Sequence, residues 1–580
     1  MCKPFILAVA LCTGLAAGAQ APKTYCNPVN IDYGYTPIPG FAEWGKHRAT
    51  ADPVIVNYKG DYYLFSTNQW GYWWSPDMST WNFVSRKFLR RWNTGTYDEL
   101  CAPAVGVKGD TMLVFGSTYT DKFSIWMSTD PKGNVWKPLV DSFEIGGWDP
   151  AFFTDDNGRF YMYNGSSNRY PLYGIELDRN TMRPIGTRKE MYFLEEWRYG
   201  WQRFGEYLDN TFLDPFMEGA HMTKHNGKYY LQYGAPGTEF SGYADGVVVG
   251  DDPLGPFTPQ SDPVSWKAGG FARGAGHGAT FQDNWKNYWH VSTVTLSVKN
   301  NFERRIGIWP AGFDSSGMMY CNTAFGDYPH YLPTGAANHL ESRFTGWMLL
   351  NYNKPVTVSS TLGGNAANFA VDESIKTYWS AATGNKGEWI QSDLGAPSTV
   401  RAVQINYADQ DAEFLGKSGG VYHQYKLYHS MDGKKWSVLA DKSNNRTDVP
   451  HDYIELAQPV TARYIRLENI RMPTGKFAVS GLRVFGKGTG NVPSVPKTFF
   501  MLRTEKDKRS GWVRWSPVDG ATGYNVYMGT NPNKLYNNVM VLNANEYYYK
   551  GMDKLKTYYL QIEAFNENGV SQRSPILKSE

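Results

Sequence analysis

Residues 218–233 read Glu218-Gly219-Ala220-His221-Met222-Thr223-Lys224-His225-Asn226-Gly227-Lys228-Tyr229-Tyr230-Leu231-Gln232-Tyr233. An Asn-Gly pair between two strand-like runs is the strongest short-range signal of a β-hairpin. The segment therefore predicts a strand, a tight turn at Asn226-Gly227 and a second strand rich in aromatic residues. Four other parts of the chain repeat this pattern.

The other four hairpins begin at residues 52, 102, 149 and 277, and they turn at Gly60, Gly109, Gly158 and near Asn287. With the hairpin at 218, the repeat has a period of roughly 45–70 residues, which is typical of a β-propeller with one blade per repeat. We therefore predict an all-β chain in which a five-bladed β-propeller is followed by two β-sandwich domains.

The residues that open the repeats are Asp52, Ala102, Asp149, Glu218 and His277. If each one opens the innermost strand of its blade, three carboxylates and an imidazole meet at one mouth of the central channel. Glycosidic hydrolysis needs one protonated carboxyl to donate to the leaving oxygen and one ionised carboxylate to activate water or attack carbon. A third acid nearby can raise the pKa of the donor. The pattern therefore predicts a glycosidase.

Composition supports a carbohydrate partner and argues against nucleic acid. Aromatic residues make up 16% of the 580 residues and charged residues 19%, and the net charge is only +3. Flat aromatic rings stack on sugar rings, whereas nucleic-acid binding calls for a basic patch or stripe that this sequence lacks. We expect a polysaccharide or oligosaccharide substrate and a monomeric protein.

The first residues have the charged start, short apolar core and small-residue exit of a secretory signal peptide, assigned to residues 1–19. We expect a secreted or periplasmic protein with no membrane span, because the apolar run is too short to cross a bilayer. A cell-surface lipoprotein attached at Cys12 is disfavoured, since Leu11 before it is not the small residue that such processing prefers. Beyond the signal, the odd set Cys26, Cys101 and Cys321 favours buried free thiols over a Cys26–Cys321 pair.

Two further domains follow the propeller, which we assign to residues 20–340. Motifs such as Thr377-Tyr378-Trp379-Ser380 and Ala462-Arg463-Tyr464-Ile465-Arg466-Leu467 resemble a discoidin-type (coagulation factor type C) β-sandwich over residues 345–487. That resemblance implies a candidate carbohydrate-binding module, with Tyr407 or Tyr422 as a sugar platform. After a Gly/Pro linker, residues 496–580 resemble a fibronectin type III sandwich and are expected to act as a spacer.

The acid motifs resemble glycoside hydrolase family 43. They are Ala51-Asp52-Pro53, Trp148-Asp149-Pro150 and Met217-Glu218-Gly219-Ala220-His221. The resemblance implies an inverting enzyme on a five-bladed propeller, with Asp52 as general base, Glu218 as general acid and Asp149 as the residue that tunes and orients the acid.

The same resemblance implies further site residues. His277 corresponds to a channel histidine that touches a bound calcium ion or water, and either Arg304 or Arg305 corresponds to an arginine that reaches the sugar. Trp70 and Trp148 are predicted to contact the substrate. No cofactor is required, and structural calcium is an open alternative at His277.

Two departures from the family pattern put the substrate in doubt. The second repeat reads Cys101-Ala102-Pro103-Ala104 where the family has Trp-Ala-Pro-Asp, and the leader before Asp52 is longer than usual.

Among the activities that the resemblance implies, we predict an exo-acting α-L-arabinofuranosidase first, with β-xylosidase or β-galactofuranosidase on the same acids as alternatives. A non-catalytic cell-surface glycan-binding protein is the alternative from another class. The retaining fructan hydrolases are disfavoured because their Asn-Asp-Pro-Asn-Gly and Glu-Cys motifs are absent.

Overall fold

The structure is a computed structural model, which describes residues 23–35, 48–67, 70–85, 100–117, 124–143, 145, 147–295, 302–337, 342–374, 376–413, 417 and 419–579. The predicted signal peptide lies outside the described residues. Within them the fold is all-β, as predicted, with two short 3₁₀ helices at Gly200–Gln202 and Ala367–Ala370. No helix in these ranges is long and apolar enough to cross a membrane.

The first part of the chain forms five antiparallel sheets, numbered 1 to 5. After β1 (Thr24–Tyr25), sheet 1 holds β2 (Ala51–Tyr58), β3 (Asp61–Thr67), β4 (Gly71–Ser75) and β5 (Asn82–Ser85). Sheet 2 holds β6 (Cys101–Lys108), β7 (Thr111–Ser117), β8 (Ile125–Asp130) and β9 (Val135–Val140). Sheet 3 holds β10 (Ala151–Thr154), β11 (Phe160–Asn164), β12 (Leu172–Leu177) and β13 (Pro184–Tyr192).

Sheet 4 holds β14 (Glu218–His225), β15 (Lys228–Ala235), β16 (Ala244–Gly250) and β17 (Phe257–Pro259), with β18 (Ser265–Trp266) also paired to β16. Sheet 5 holds β19 (Arg273–Gln282), β20 (Tyr288–Thr295), β21 (Arg304–Phe313) and β22 (Met319–Cys321). Strands that follow one another in the chain are neighbours within each sheet. The hairpin predicted at Asn226-Gly227 is present, with φ of 48° and 77° at its two turn residues.

The first strands of the five sheets lie side by side. β2, β6, β10, β14 and β19 contact one another in chain order, and β19 also lies against β2. Residues from all five of these strands line one narrow channel. Apolar side chains fill the spaces between neighbouring sheets, so burial there fixes the order of the sheets around the channel.

The second region forms one eight-stranded antiparallel arrangement after β23 (His330–Tyr331), which pairs with β1. Its strands are β24 (Met348–Leu349), β25 (Val356–Val358), β26 (Trp379–Ser380), β27 (Trp389–Tyr407), β28 (Gln424–Ser430), β29 (Ser437–Asp441), β30 (His451–Arg471) and β31 (Ala478–Lys487). Trp379 is buried in its core. Tyr407 is also buried there and stacks on His423, so the proposal that it carries a sugar is wrong.

The third region forms two facing sheets. They contain β32 (Phe499–Arg503), β33 (Gly511–Trp515) and β36 (Glu546–Tyr549) in one, and β34 (Gly523–Gly529), β35 (Asn537–Leu542), β37 (Tyr559–Asn566), β38 (Gly569–Val570) and β39 (Leu577–Lys578) in the other. The assignment of this region to the fibronectin type III fold stays a prediction.

The third region shares a hydrophobic core with sheets 3 and 4. Trp266 of sheet 4 lies 5.3 Å from the Tyr549 ring between centroids, and Tyr199 and Trp201 of the long segment before sheet 4 belong to the same buried cluster. Arg198 forms an ion pair with Asp553 across this interface, at 3.0 Å between Nη2 and Oδ2. The region expected to act as a spacer is therefore packed against the five-sheet domain.

Candidate active site

The residues that open the repeats lie in a shared backbone conformation. Asp52, Ala102, Asp149 and His277 have positive φ values of 52°, 41°, 54° and 47°. Asp52, Ala102 and His277 stand where the register of the first strand shifts, and Asp149 stands just before its strand begins. This left-handed conformation is costly for residues other than glycine. The side chains of Asp52 and Asp149 both approach the His277 imidazole.

Glu218 does not occupy the same position in its repeat, contrary to the sequence-based prediction. The positive-φ residue of sheet 4 is Gly219, with φ of 67°, and Glu218 pairs with Gly234 as Ala51 pairs with Thr67. Glu218 is therefore the structural equivalent of Ala51 and not of Asp52. Because adjacent residues of a strand point in different directions, its carboxyl enters the site from another side.

Hydroxyl groups from the preceding sheets fix three of the opening residues. The backbone N–H groups of Asp52, Ala102 and Asp149 donate to Thr293 Oγ1, Thr67 Oγ1 and Ser117 Oγ, at 2.8, 2.8 and 2.9 Å. Each acceptor stands on the second strand of the sheet before, and for Asp52 that is sheet 5. These hydrogen bonds give a partner to buried backbone N–H groups that take no part in the regular pairing between strands.

Asp52 is held in its ionised form. Burial by itself raises the pKa of its carboxyl, but the Arg304 guanidinium, His277 and hydrogen bonds from Thr67 and Thr293 outweigh burial and bring the pKa below its ordinary value. Thr67 Oγ1 donates to Asp52 Oδ2 at 2.6 Å, and Arg304 Nη1 lies 3.5 Å from Asp52 Oδ1. Asp52 therefore carries a negative charge at neutral pH.

Glu218 is held in its protonated form. Burial and the neighbouring charge of Asp149 raise the pKa of Glu218 to about 8. Tyr243 Oη donates to Glu218 Oε1 at 2.5 Å, and Ser166 Oγ lies 3.4 Å from the other carboxyl oxygen. Burial also raises the pKa of Asp149, to about 6. Oxygen atoms of the Asp149 and Glu218 carboxyls lie within 4.8 Å of each other. Two buried carboxyls at this distance resist simultaneous ionisation, so the pair keeps one proton through neutral pH.

His277 lies between the acids. Its Nδ1 is 3.3 Å from Asp52 Oδ1 and 3.8 Å from Asp149 Oδ2. Burial lowers the pKa of the imidazole, but the surrounding carboxylates outweigh burial and raise it above its ordinary value. A Cβ at position 219 would lie 2.7 Å from the His277 ring, so glycine is required beside Glu218 for the histidine to enter.

The predicted metal position is lined by three side chains that can act as ligands. Ligand atoms of Asp149, Glu218 and His277 lie within 4.8 Å of one another. Calcium takes about six to eight oxygen ligands, waters among them, and this group supplies two carboxyls and one imidazole nitrogen. Calcium at His277 stays a prediction.

A cavity of about 420 Å³ opens above the acids. Its lining residues are Asp52, Thr67, Cys101, Trp148, Asp149, Ser166, Phe204, Phe216, Glu218, Gly237, Thr238, Glu239, Phe302 and Arg304. The mixture of carboxyls, hydroxyls and aromatic rings is suited to a sugar, which has polar hydroxyls around an apolar ring face. The volume is within the range of small-molecule sites.

The structure separates the other predicted site residues. Trp148 lines the cavity and is 40% exposed, and Arg304 lines it beside Asp52. Arg305 does not: its guanidinium donates to His451 of the second region and to the carbonyl of Arg48. Trp70 lines a different cavity, next to Lys417 of the second region. The predicted substrate contacts of Arg305 and Trp70 are therefore corrected.

Several residues of the site escaped the sequence analysis. Tyr243, which holds Glu218, lies in a loop between strands and matches no motif. Glu239 adds a fourth carboxyl to the cavity, and burial raises its pKa. Residues 179–214, which the sequence leaves open as either a wall of the pocket or a packing segment, do both: Phe204 lines the cavity and Trp201 packs against the third region. Cys26, Cys101 and Cys321 are buried free thiols, as favoured by the sequence.

Comparisons with known proteins agree with the motifs. The family model of the glycosyl hydrolases family 43 matches residues 47–319, and that of the F5/8 type C domain matches residues 355–480. Residues 47–319 are thus similar to family 43 and residues 355–480 to a discoidin-type domain, in agreement with the predicted resemblances. The acids of the cavity lie within the first match.

Individual relatives are distant. An arabinoxylan arabinofuranohydrolase of Paenibacillus polymyxa is 29% identical over 346 residues, 53% of this chain and 48% of that protein. A beta-D-galactofuranosidase of Aspergillus niger is 24% identical over 157 residues, 27% of this chain and 40% of that protein. The chain spans less than half the length of these two relatives. A solved glycoside hydrolase structure is 19% identical with a TM-score of 0.44, covering 78% of this chain and all of that one.

Proposed function

We propose that the chain is an inverting glycoside hydrolase in which Asp52 is the general base and Glu218 the general acid. One observation carries the proposal: Asp52, Asp149 and Glu218 line one cavity, where Arg304 lies 3.5 Å from Asp52 and Asp149 lies beside Glu218. These neighbours lower the pKa of Asp52 and raise that of Glu218 to about 8. Opposite shifts in paired carboxyls are what acid–base catalysis at neutral pH requires.

In this mechanism Glu218 donates its proton to the glycosidic oxygen as the bond to the anomeric carbon breaks. Asp52 takes a proton from the water that attacks the opposite face of the sugar. Asp149 raises the pKa of Glu218 through its negative charge, and Tyr243 fixes the direction of the acid. Arg304 and Thr67 keep Asp52 ionised and oriented.

The arrangement of the sheets supports a five-bladed propeller as the frame of this site. The first strands contact one another in chain order, β19 lies against β2, and all five line one channel. In such a frame the strand openings meet at one mouth, where Asp52, Asp149 and Glu218 contribute to the same cavity.

The substrate we propose is a terminal sugar of a polysaccharide side chain, and α-L-arabinofuranose is the first choice. A cavity walled by Trp148, Phe204 and Phe302 favours exo action on a chain end. β-Xylosidase and β-galactofuranosidase activities are the alternatives, and the distant relatives include proteins named for arabinofuranohydrolase, xylosidase and galactofuranosidase activity. We also propose secretion through the signal sequence, a monomer and no required cofactor.

A panel of aryl glycosides tests the proposal. We expect release of the aryl group from one terminal furanoside or xyloside, and NMR of the first product should show the anomer opposite to the substrate. Retention of configuration would contradict the roles of Asp52 and Glu218. Absence of turnover on every arabinofuranoside, xyloside and galactofuranoside, and on the matching polysaccharides, would contradict the hydrolase itself.

The second candidate is a non-catalytic glycan-binding protein, which the discoidin-type domain favours. The variant Glu218→Gln separates the two functions. If the site is catalytic, the variant binds the substrate of the wild type without turning it over. If the chain only binds glycans, the wild type also releases no sugar, and its affinity equals that of the variant.

A further inference from the structure

The strands that carry Asp52 and Arg304 begin side by side. Asp52 lies in β2 and Arg304 is the first residue of β21. Just before β2, the backbone N–H of Thr50 donates to the carbonyl of Arg304 at 3.1 Å. This hydrogen bond ties the residue two positions before Asp52 to the backbone of Arg304.

Side chains of the second region contact Arg48 and Arg305, which lie next to the starts of these two strands; we call this contact area the junction. The Arg48 side chain is fully buried, with Nε 3.0 Å from Asp409 Oδ2 and a second contact to Asp448. Arg305 Nε donates to His451 Nε2 at 2.8 Å. Thus both segments, one before Asp52 and one beside Arg304, end in contacts with the same neighbouring region.

The His451 contacts define its protonation. Because Nε2 accepts from the Arg305 guanidinium, Nδ1 carries the ring proton and donates to Asn406 Oδ1 at 2.7 Å. Burial and the charges of Arg305 and Arg48 keep the pKa of His451 well below its ordinary value. A neutral imidazole whose unprotonated Nε2 faces Arg305 can accept the hydrogen bond of that guanidinium.

Arg305 passes this constraint to the site. Its Nη1 donates to the carbonyls of Arg48 and Arg304. The Arg304 carbonyl is thus held by two donors, while the Arg304 side chain reaches Thr238 Oγ1 at 3.0 Å and Asp52 at 3.5 Å. The discoidin-type domain therefore contacts Arg305, and Arg305 holds the backbone of Arg304, whose guanidinium keeps Asp52 ionised.

We propose that the discoidin-type domain is a structural part of the active site, in which His451, Asp409 and Asp448 are positioning residues that hold Arg304 against Asp52. This inference rests on the proposed function and goes beyond it, since it gives the second domain a role in catalysis rather than in substrate capture. None of the three residues touches the cavity; they act through Arg305 and Arg48.

His451→Phe in the full chain tests the proposal, because it keeps a ring of similar size and removes the acceptor. We expect kcat/KM to fall about tenfold and the acid limb of its pH profile to move up by about half a unit to one unit, because Asp52 loses part of its fixed counter-charge. Asp52 also faces His277, Asp149 and Glu218, which the substitution leaves in place. His451→Gln, whose amide oxygen can accept from Arg305, should restore most of both values.

Leu427→Ala is the matched control, since Leu427 is fully buried in the core of the second domain and away from the junction. It should lower thermal stability without moving the pH profile. A crystal structure of His451→Phe gives a measurement independent of activity: the distance between Arg304 Nη1 and Asp52 Oδ1 should increase. If that distance and the pH profile match the wild type, the positioning role is overturned. If the wild type itself shows no hydrolysis, the proposed function fails, while the distance still tests the positioning.

Discussion

At the residue scale, the site depends on two carboxyls kept in opposite protonation states. Asp52 accepts from Thr67 and faces Arg304 and His277, whereas Glu218 is buried next to Asp149. Charge partners decide the first pKa, and burial with like charge decides the second. The same side-chain chemistry thus yields a base at one position and an acid at the other.

The pH dependence of kcat/KM follows from these two states. Activity needs Asp52 ionised, so it rises as pH increases through the pKa of Asp52, which lies below its ordinary value because of Arg304, His277 and the threonine hydrogen bonds. Activity also needs Glu218 protonated, so it falls as pH increases through about 8. We expect a broad bell whose alkaline limb lies near pH 8. Initial rates at low substrate concentration across this range measure it, and an alkaline limb near pH 5 would contradict the protonated state of Glu218.

The leaving group distinguishes the acid from the base. Glu218→Gln should lower kcat by about 10²–10⁴ on alkyl glycosides, whose departing oxygen needs a proton. On a dinitrophenyl glycoside the loss should be much smaller, because a dinitrophenolate leaves without protonation. Asp52→Asn serves as the control and should lose activity on both substrates alike. Equal losses for Glu218→Gln on both substrates would remove it from the role of acid.

At the element scale, the repeated interruption of the first strands brings the functional side chains together. The left-handed residue is aspartate in sheets 1 and 3, alanine in sheet 2, glycine in sheet 4 and histidine in sheet 5. Aspartate and histidine tolerate this conformation better than most residues. The Ala102 side chain neither favours the left-handed conformation nor acts in the proposed mechanism. Its backbone strain therefore contributes only to the course of the strand.

Replacing Ala102 with glycine should therefore cost much less stability than the same change at an unstrained position of the strand. Relief of the left-handed strain, about 1–2 kcal/mol, offsets the entropy that glycine loses on folding and the lost burial of the methyl group, together about 1–2 kcal/mol, so the free energy of unfolding should change little. Ala104→Gly, two residues along the same strand, has no positive φ to relieve and should destabilise by about 1–2 kcal/mol. Midpoints of urea unfolding for the two variants give the comparison. Equal destabilisation by both would contradict strain at position 102.

Local patterns predicted the hairpins, because glycine turns and strand periodicity are encoded within a few residues. The offset of Glu218 did leave a local signal, since Gly219 is the residue of the pair that takes the left-handed position most readily. The different contacts of Arg304 and Arg305 left none, because two adjacent arginines look alike until the second domain supplies His451 for one of them. Tyr243 was missed because its role arises from packing between loops.

At the scale of the whole molecule, the three regions form one connected structure. The second region reaches the active site through Arg48 and Arg305, and the third shares a hydrophobic core with sheets 3 and 4. Buried apolar and charged contacts of this kind make separate motion of the domains costly. We therefore expect the proposed catalysis and the overall stability to depend on regions that the sequence suggested were accessory.

Removal of the third region tests this dependence. A chain ending at Lys487 exposes Trp201 and Trp266, which are buried in the full chain, and leaves Arg198 without Asp553. Because several large side chains lose their cover, we expect the thermal midpoint of the five-sheet domain to fall by at least about 5 °C. Differential scanning calorimetry of both chains measures it. Arg514→Ala, which breaks an exposed ion pair with Glu546 within the third region, is the control and should leave the midpoint unchanged. A truncated chain that keeps the midpoint of the full chain would return the third region to the role of a spacer, since its cover of Trp201 and Trp266 would then contribute nothing measurable.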